Sequence, residues 1–224
     1  MARAAVYAAL GEPVRLALAE RLVAGDASPS DLATELGLGS NLLAHHLRVL
    51  EQAGVIRRVR SEGDRRRSYV QLRLDSPTVR ATLPGDSWVD VPRRVLFVCS
   101  ANSARSQLAA AAWNSFSVVP ANSAGMRPAS RVHPRAVAVA ARHGLDLSNA
   151  VPAGLDDRLD QADLIVAVCD NAHEALDPEL PRLHWSVPDP ARVDTDDAFE
   201  TTFADLNGRV RHLAALHPDQ RNAS

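Results

Sequence analysis

The stretch Val95-Leu96-Phe97-Val98-Cys99-Ser100-Ala101-Asn102-Ser103-Ala104-Arg105-Ser106-Gln107-Leu108-Ala109 decides how the second half of the chain folds. Arg94–Val98 is the short unbroken apolar run of a strand buried on both faces. It leads directly into a loop that begins at Cys99 and reaches Arg105-Ser106 as an Ala-rich helix starts, running through Trp113. Each residue type in the loop has a use. A thiol is a weak nucleophile at its free pKa of roughly 8.5, and a helix N-terminus with nearby cations brings it to about 3.5–7.5. Successive backbone N–H groups over Ser100, Ala101, Asn102, Ser103 and Ala104 would form a concave nest for a tetrahedral oxyanion. Arg105 can fork two of its oxygens and stabilise transition-state charge. Ser103 or Ser106 can donate a hydrogen bond to the thiolate, and Asn102 can brace the loop.

Outward from this loop, helices and strands alternate. Val132–His143 reads as a helix, Asp163–Val168 as a second buried strand and His184–Val187 as a third; a weaker strand signal lies near Val118–Ala124. The last helix, about Thr195 to Leu216, carries Phe199, Phe203, Leu206, Val210 and Leu213 on one stripe. Strands separated by helices imply an α/β domain with a small parallel sheet, covered on both faces.

Before residue 75 the punctuation is helical. Pro13 opens an apolar segment closed by Gly25, and Ser28-Pro29-Ser30-Asp31 has a cap, a first-turn proline and an acid three residues after the cap. Ser40 can cap a third helix, whose Leu43, Leu47 and Leu50 share a face and which Gly54 ends. Two β-like runs follow, Val55–Arg60 and Ser68–Leu74, around a turn at Glu62-Gly63-Asp64. Helix, short helix, turn, helix and hairpin is the winged helix-turn-helix order, a mainly α domain. Residues 75–92, with three prolines and a Pro-Gly turn, read as a linker. The expected division is a DNA-binding domain over 1–75, a linker over 76–92 and an α/β domain over 93–224.

Composition agrees with two domains. The 224 residues exceed the usual single-domain size of roughly 100–150, and an apolar fraction of 46% excludes a disordered chain. All 25 basic residues are arginine. Residues 1–80 carry a net +3 and residues 81–224 a net −5, so the two halves have different partners and the basic half is the candidate for nucleic acid. The two cysteines, Cys99 and Cys169, have no paired metal spacing, which argues against a disulfide scaffold. No apolar run approaches the roughly 18 residues of a membrane span, and the start lacks a signal-peptide pattern. A cytoplasmic protein with no membrane partner is expected.

Residues 93–217 resemble the low-molecular-weight protein-tyrosine-phosphatase fold, whose anion loop is Cys-x5-Arg-Ser. Within it, Asn102-Ser103-Ala104-Arg105-Ser106-Gln107 is similar to the arsenate reductase branch; the phosphatases usually have proline where this chain has Gln107. Ser123-Ala124-Gly125, His133-Pro134, His143-Gly144-Leu145-Asp146 and His184-Trp185-Ser186-Val187-Pro188-Asp189-Pro190 also match arsenate reductases. The resemblance implies that Cys99 is the nucleophile, that Arg105 and Ser106 assist it, and that Asp189 is the general acid that protonates the departing oxygen. Taken alone, Asp189-Pro190 would read as a turn.

Two positions depart from that pattern. In thioredoxin-coupled reductases a second and third cysteine relay the disulfide; Cys169 matches the second, while Leu176 stands at the third. The family's potassium-site acid falls on Ala110. The expectation is therefore an enzyme with no metal and no tightly bound cofactor, served by an external thiol reductant. Mycothiol with mycoredoxin is favoured over a thioredoxin system, and Cys169 is a candidate resolving thiol.

Residues 8–74 resemble ArsR-type repressors through Leu10-Gly11-Glu12-Pro13-Val14-Arg15, Ser30-Asp31-Leu32-Ala33 and His46–Gly54. This implies operator DNA as a partner, read by Ser40, Asn41, His45 and Arg48 in the major groove, with the wing arginines Arg65, Arg66 and Arg67 on the backbone or minor groove. A homodimer is implied as well. No cysteine precedes Cys99, so this domain alone cannot bind arsenite through thiolates, and the adjacent His45 and His46 point apart. The leading expectation is a regulator fused to a thiol-dependent arsenate reductase. Two alternatives are a regulator whose catalytic-like domain only senses oxyanion or redox state, and a protein-tyrosine phosphatase. Gln107 and the 4% aromatic content speak against the phosphatase.

Overall fold

A computed structural model describes residues 2–83 and 92–216. The chain divides into two units, Met1–Gly85 and Asp86–Ser224. In the first, α1 (Ala2–Leu10), α2 (Pro13–Arg21), α3 (Pro29–Glu35) and α4 (Ser40–Gln52) precede an antiparallel hairpin of β1 (Ile56–Arg60) and β2 (Ser68–Leu72), followed by α5 (Pro77–Thr82). The core is aliphatic: Leu18, Leu32, Leu47, Leu50, Val55 and Val70 are fully or almost fully buried. Local chemistry sets the helix starts. Glu12 accepts from the N–H groups of Val14 and Arg15 at 3.1 and 3.0 Å, and Ser28 and Asp31 form the reciprocal box that the sequence predicts.

Three expectations for this unit need correction. Gly39, not Ser40, is the N-cap of α4, so Ser40 is the first helical residue and its hydroxyl caps nothing. The preceding Gly39 already has the extended backbone that a cap needs, which leaves the serine to the exposed face. Part of the expected linker is helical: α5 packs on α1, buries Val79 and is capped by Ser76. The remainder, residues 84–91, lies outside the described residues. The third correction is an addition: α1 has no counterpart in the sequence-based expectation, since its Ala-rich stretch has little periodic contrast.

In the second unit, four parallel strands lie in the order β4-β3-β5-β6: β3 (Val95–Cys99), β4 (Ala121–Gly125), β5 (Leu164–Ala167) and β6 (Leu183–His184). Between and after them run α6 (Arg105–Asn114), α7 (Pro134–Arg142), α8 (Asp170–Ala175) and α9 (Asp196–Ala215). Helices α6, α7 and α9 pack on one another, and α8 packs on β3 and β5. Phe97 of β3 is wholly buried, with the rings of Trp113 and Trp185 centred 6.1 and 5.8 Å away. The expected third strand is only two residues long: the Trp185 N–H still bonds the Ala167 carbonyl at 2.8 Å, and the residues after it turn away toward the site. The weak signal near 118–124 is the edge strand β4, shifted to Ala121–Gly125.

Every residue of β3 is buried, and its two neighbours are reached by connections running in opposite directions. Open α/β sheets bind ligands outside the carboxyl ends of strands where the order reverses in this way. Cys99 ends β3 at that point.

Candidate active site and nucleic-acid interface

Cys99 lies at the floor of the loop and is buried. Its Sγ accepts the N–H of Asn102 at 3.2 Å and is 3.0 Å from the Ser106 hydroxyl. Asn102 is wholly buried with φ 49°, a left-handed conformation that asparagine tolerates and that turns its N–H back onto the sulfur. Its side chain ties the loop together. Nδ2 donates to Ser106 Oγ at 2.8 Å, while Oδ1 accepts from Gln107 Nε2 at 3.0 Å and from the Ala153 N–H at 2.8 Å. Of the two serines named for the thiolate, Ser106 makes the contact; Ser103 instead contributes its carbonyl to the loop's outer edge.

That outer edge explains how the nest forms. The segment after β4 runs along the loop and takes its carbonyls in turn: Met126 N–H donates to Cys99, Arg127 to Ser100, Ala129 to Ala101 and His133 to Ser103, at 2.8–3.1 Å. With the carbonyls held outward, the amide hydrogens face the other way. Among the described residues, the N–H groups of Ser100, Ala101, Ser103 and Ala104 have no protein acceptor, so this donor set suits a tetrahedral oxyanion. Ala104 is the N-cap of the ten-residue α6 and offers no side-chain cap, so the positive end of that helix also faces the loop. Gly125 allows the close approach. A Cβ there would lie 2.7 Å from Asn102 N and 2.8 Å from Ala101 C.

Arg105 is almost fully buried, and its guanidinium is aimed by two partners. Nη1 donates to the Val187 carbonyl at 2.9 Å and Nη2 lies 3.0 Å from the Asp189 carboxylate. Asp189 also accepts the Ala191 N–H at 3.2 Å, so the acid is fixed beside the arginine by the Asp-Pro turn itself. The strand feeding this turn is anchored below: His184 Nε2 and Asp170 Oδ1 are 2.9 Å apart, both buried.

Cys169 is wholly buried as the N-cap of α8, at the end of the strand next to β3. Its Sγ is 3.5 Å from Ser100 Oγ of the loop and accepts the Ala172 N–H at 3.4 Å. Burial pushes this thiol above the usual cysteine range, opposed by the Arg105 cation and reinforced by Cys99. Position 110, where the family's potassium-site acid would fall, supplies a buried methyl group, and among the described residues no three or more His, Cys, Asp or Glu side chains are grouped to hold a metal ion.

In the first unit, Ser40, Asn41, His45 and Arg48 are all exposed on α4, whereas His46 is buried against Glu12 at 3.3 Å. The wing exposes Arg65, Arg66 and Arg67. Arg66 and Arg67 converge on Asp64 at 3.0 and 3.8 Å, and the Arg66 guanidinium with its backbone N–H holds the Asp64 carboxyl below the usual range. Two other arginines are structural: Arg57 donates to Gln71 at 2.7 Å and Arg58 pairs with Glu51 at 3.5 Å.

Residues 94–222 match the family described as low molecular weight phosphotyrosine protein phosphatase, more than half of the chain. The chain belongs to that family. Residues 3–59 match a helix-turn-helix domain, so a helix-turn-helix domain and a low molecular weight phosphatase-family domain are fused in one polypeptide. Within the family, curated relatives similar to this chain include arsenate reductases. An arsenate reductase of Brevibacillus brevis is 33% identical over 135 residues, covering 54% of this chain and 94% of the relative. Arsenate reductase 1 of Staphylococcus haemolyticus is 32% identical over 133 residues, with the same coverage of both. The crystal structure of a low molecular weight protein tyrosine phosphatase from T. tengcongensis aligns with TM-score 0.50 and 26% identity, covering 54% of this chain and 97% of that one. Among the described residues no helix is long and apolar enough to cross a membrane.

Sequence reasoning missed the 126–133 segment, which shapes the family's anion loop here, and the role of Ala153. Ser123-Ala124-Gly125 pointed to the region, but a close backbone approach has no sequence signal beyond a glycine at a strand end.

Proposed function

We propose that the protein is a DNA-binding regulator fused to a thiol-dependent arsenate reductase, acting in the cytoplasm. The observation that carries the reductase reading is Gln107: its amide is built into the hydrogen-bonded frame of the loop through Asn102, a contact that a proline could not make. The similarity to arsenate reductases supports the same substrate.

In this reading arsenate binds in the nest and takes over Arg105 Nη2 from Asp189. The Cys99 thiolate attacks arsenic, and one arsenic–oxygen bond breaks with its pair on oxygen, which leaves as water after protonation from Asp189. A second thiolate then attacks Cys99 Sγ. The sulfur–arsenic pair stays on arsenic, so arsenic(V) becomes arsenic(III), arsenite departs and two sulfurs are oxidised to a disulfide. An external thiol, mycothiol with mycoredoxin or a thioredoxin system, supplies or regenerates the second thiolate. Cys169 is a second source favoured by its 3.5 Å contact with loop residue Ser100. The helix-turn-helix unit, as a homodimer, binds operator DNA through the exposed face of α4 and the wing.

Arsenite release from arsenate with each reductant system is the deciding assay, beside p-nitrophenyl phosphate hydrolysis. Turnover with at least one donor, lost in Cys99→Ser, is expected. Oxyanion binding without turnover makes the domain a sensor, and fast phosphate-ester hydrolysis makes it a phosphatase. Survival of turnover in Cys169→Ser assigns the second thiol to the external donor. For DNA, gel shifts with the upstream region of the gene should weaken steeply with salt. Affinity indifferent to joint replacement of Arg65, Arg66 and Arg67 by alanine removes the wing from the interface.

A further inference from the structure

The second unit is negatively charged overall, yet the segments hydrogen-bonded to its anion loop present three exposed arginines. Arg127 donates its backbone N–H to Ser100, and Arg131 lies two residues before His133, which donates to Ser103. Arg192 donates its backbone N–H to Asp189 at 3.2 Å. All three side chains are exposed, and among the described residues none of them pairs with a carboxylate. Of the acids nearby, Asp189 is paired with Arg105, and Asp194 and Asp196 share Arg135, with His133 also near Asp194; Asp157 accepts the Gly154 N–H beside Pro128. The three arginines thus add unpaired positive charge to the border of the loop within an acidic domain.

We propose that Arg127, Arg131 and Arg192 form a capture rim that draws small oxyanions to the nest and favours more highly charged over less charged ones, a role distinct from the buried Arg105 that holds the bound anion. A nest of amides and one buried arginine acts at contact distance, whereas the remaining charge of the domain repels an approaching anion over longer range. Exposed cations on the bordering segments reverse that field where it matters for encounter, since fields add over the surface and are screened within roughly 8 Å at physiological salt. All three lie on the surface, where burial does not account for the choice of arginine. The proposal rests on the loop's anion-binding role, but not on turnover.

The test uses the full chain carrying Cys169→Ser, so that Cys99 is the only thiol, and compares its alkylation by anionic iodoacetate and neutral iodoacetamide. In Arg127→Gln/Arg131→Gln/Arg192→Gln the iodoacetate rate should fall about five- to tenfold at low salt while the iodoacetamide rate holds, and the gap between parent and variant should close at high salt. An unchanged ratio of the two rates overturns the rim. So does an equal fall in both, which would mean that the arginines shape the loop rather than its field. Because alkylation needs no arsenate, charge selectivity without arsenite release by the unsubstituted chain keeps the rim and rejects the reductase reading. Arsenite release with no selectivity does the reverse.

Discussion

Gly125→Ala should disable the anion loop without touching any side chain that contacts substrate. The added methyl would sit 2.7 Å from Asn102 N, 2.8 Å from Ala101 C and 3.0 Å from Asn102 Cβ. Two of these are backbone atoms and cannot rotate away. Reaching ordinary contact near 3.5 Å requires a displacement of roughly 0.7 Å. The strand cannot supply it, because Gly125 is paired beside Cys99 in the ladder, donates to Ala153 at 2.9 Å and accepts from Leu155 at 3.1 Å. The loop must move instead, and the 3.2 Å bond from Asn102 N–H to Cys99 Sγ is the first to stretch. Overpacking of this kind costs about 1–3 kcal/mol, on the order of 4–10 °C in the melting of a unit of this size. A shift approaching 1 Å at the reacting geometry lowers turnover by about a hundredfold. Thermal melts of the full chain measure the first and arsenite release the second, while arsenate protection of Cys99 against iodoacetamide reports on the loop itself. Wild-type melting together with wild-type protection would refute the reasoning, since the backbone contact would then impose nothing on the loop.

Two further outcomes follow from the same geometry. Cys169, tested in Cys99→Ser, should react with iodoacetamide more slowly at pH 7 than free cysteine and accelerate only above the usual thiol range of about 8.5, because burial favours its protonated form; a rate matching free cysteine at pH 7 contradicts this. Gln107→Ala removes one donor from Asn102 Oδ1, a loss of about 1 kcal/mol or fivefold in Cys99 reactivity, whereas Gln107→Glu sets a carboxylate against that oxygen and should cost more; the reverse ranking in alkylation rates would show that Gln107 does not orient Asn102.

What was legible in the sequence divides along sequence distance. The β3–loop–α6 unit occupies twenty consecutive positions, and its strand, cysteine and arginine are all local signals. The same holds for the Ser28 capping box and the wing. The placement of Asp189 against Arg105 came only through a family resemblance, since nothing in an Asp-Pro pair announces a partner 84 positions earlier. Features made by the meeting of distant segments were not legible. The Ala-rich α1 carries no strong apolar stripe, and its burial depends on α2, α4 and α5. The short β6 is longer in the sequence-based expectation because Trp185 and Val187 alternate with His184 and Ser186, but the buried run beyond Trp185 serves the turn toward Arg105 rather than a ladder. Gly39 displaced Ser40 as a cap because capping preference ranks the side chains, while the backbone path fixes which residue is extended.

The orientation of the Ser106 hydroxyl follows from a backbone group far from it in sequence. The N–H of Ala153 is a donor in any protonation state, so the Asn102 atom facing it at 2.8 Å must be the carbonyl oxygen. Gln107 Nε2 meets the same oxygen, which fixes the Asn102 amide with Nδ2 toward Ser106. Ser106 Oγ then accepts from Nδ2, and its own hydrogen is left to point along the 3.0 Å contact to Cys99 Sγ. Were the amide reversed, Ser106 would donate to Asn102 Oδ1 and turn its lone pairs to the sulfur, opposing negative charge there. The sulfur therefore receives two aligned donors, the Asn102 N–H and the Ser106 hydroxyl, through a chain of bonds that begins at residue 153. Toward a thiolate, such bonds would be charge-assisted and about twice as strong as neutral ones. They act only while each link is in place, which makes Gln107 and the segment around Ala153 part of the environment of the Cys99 sulfur although neither touches it.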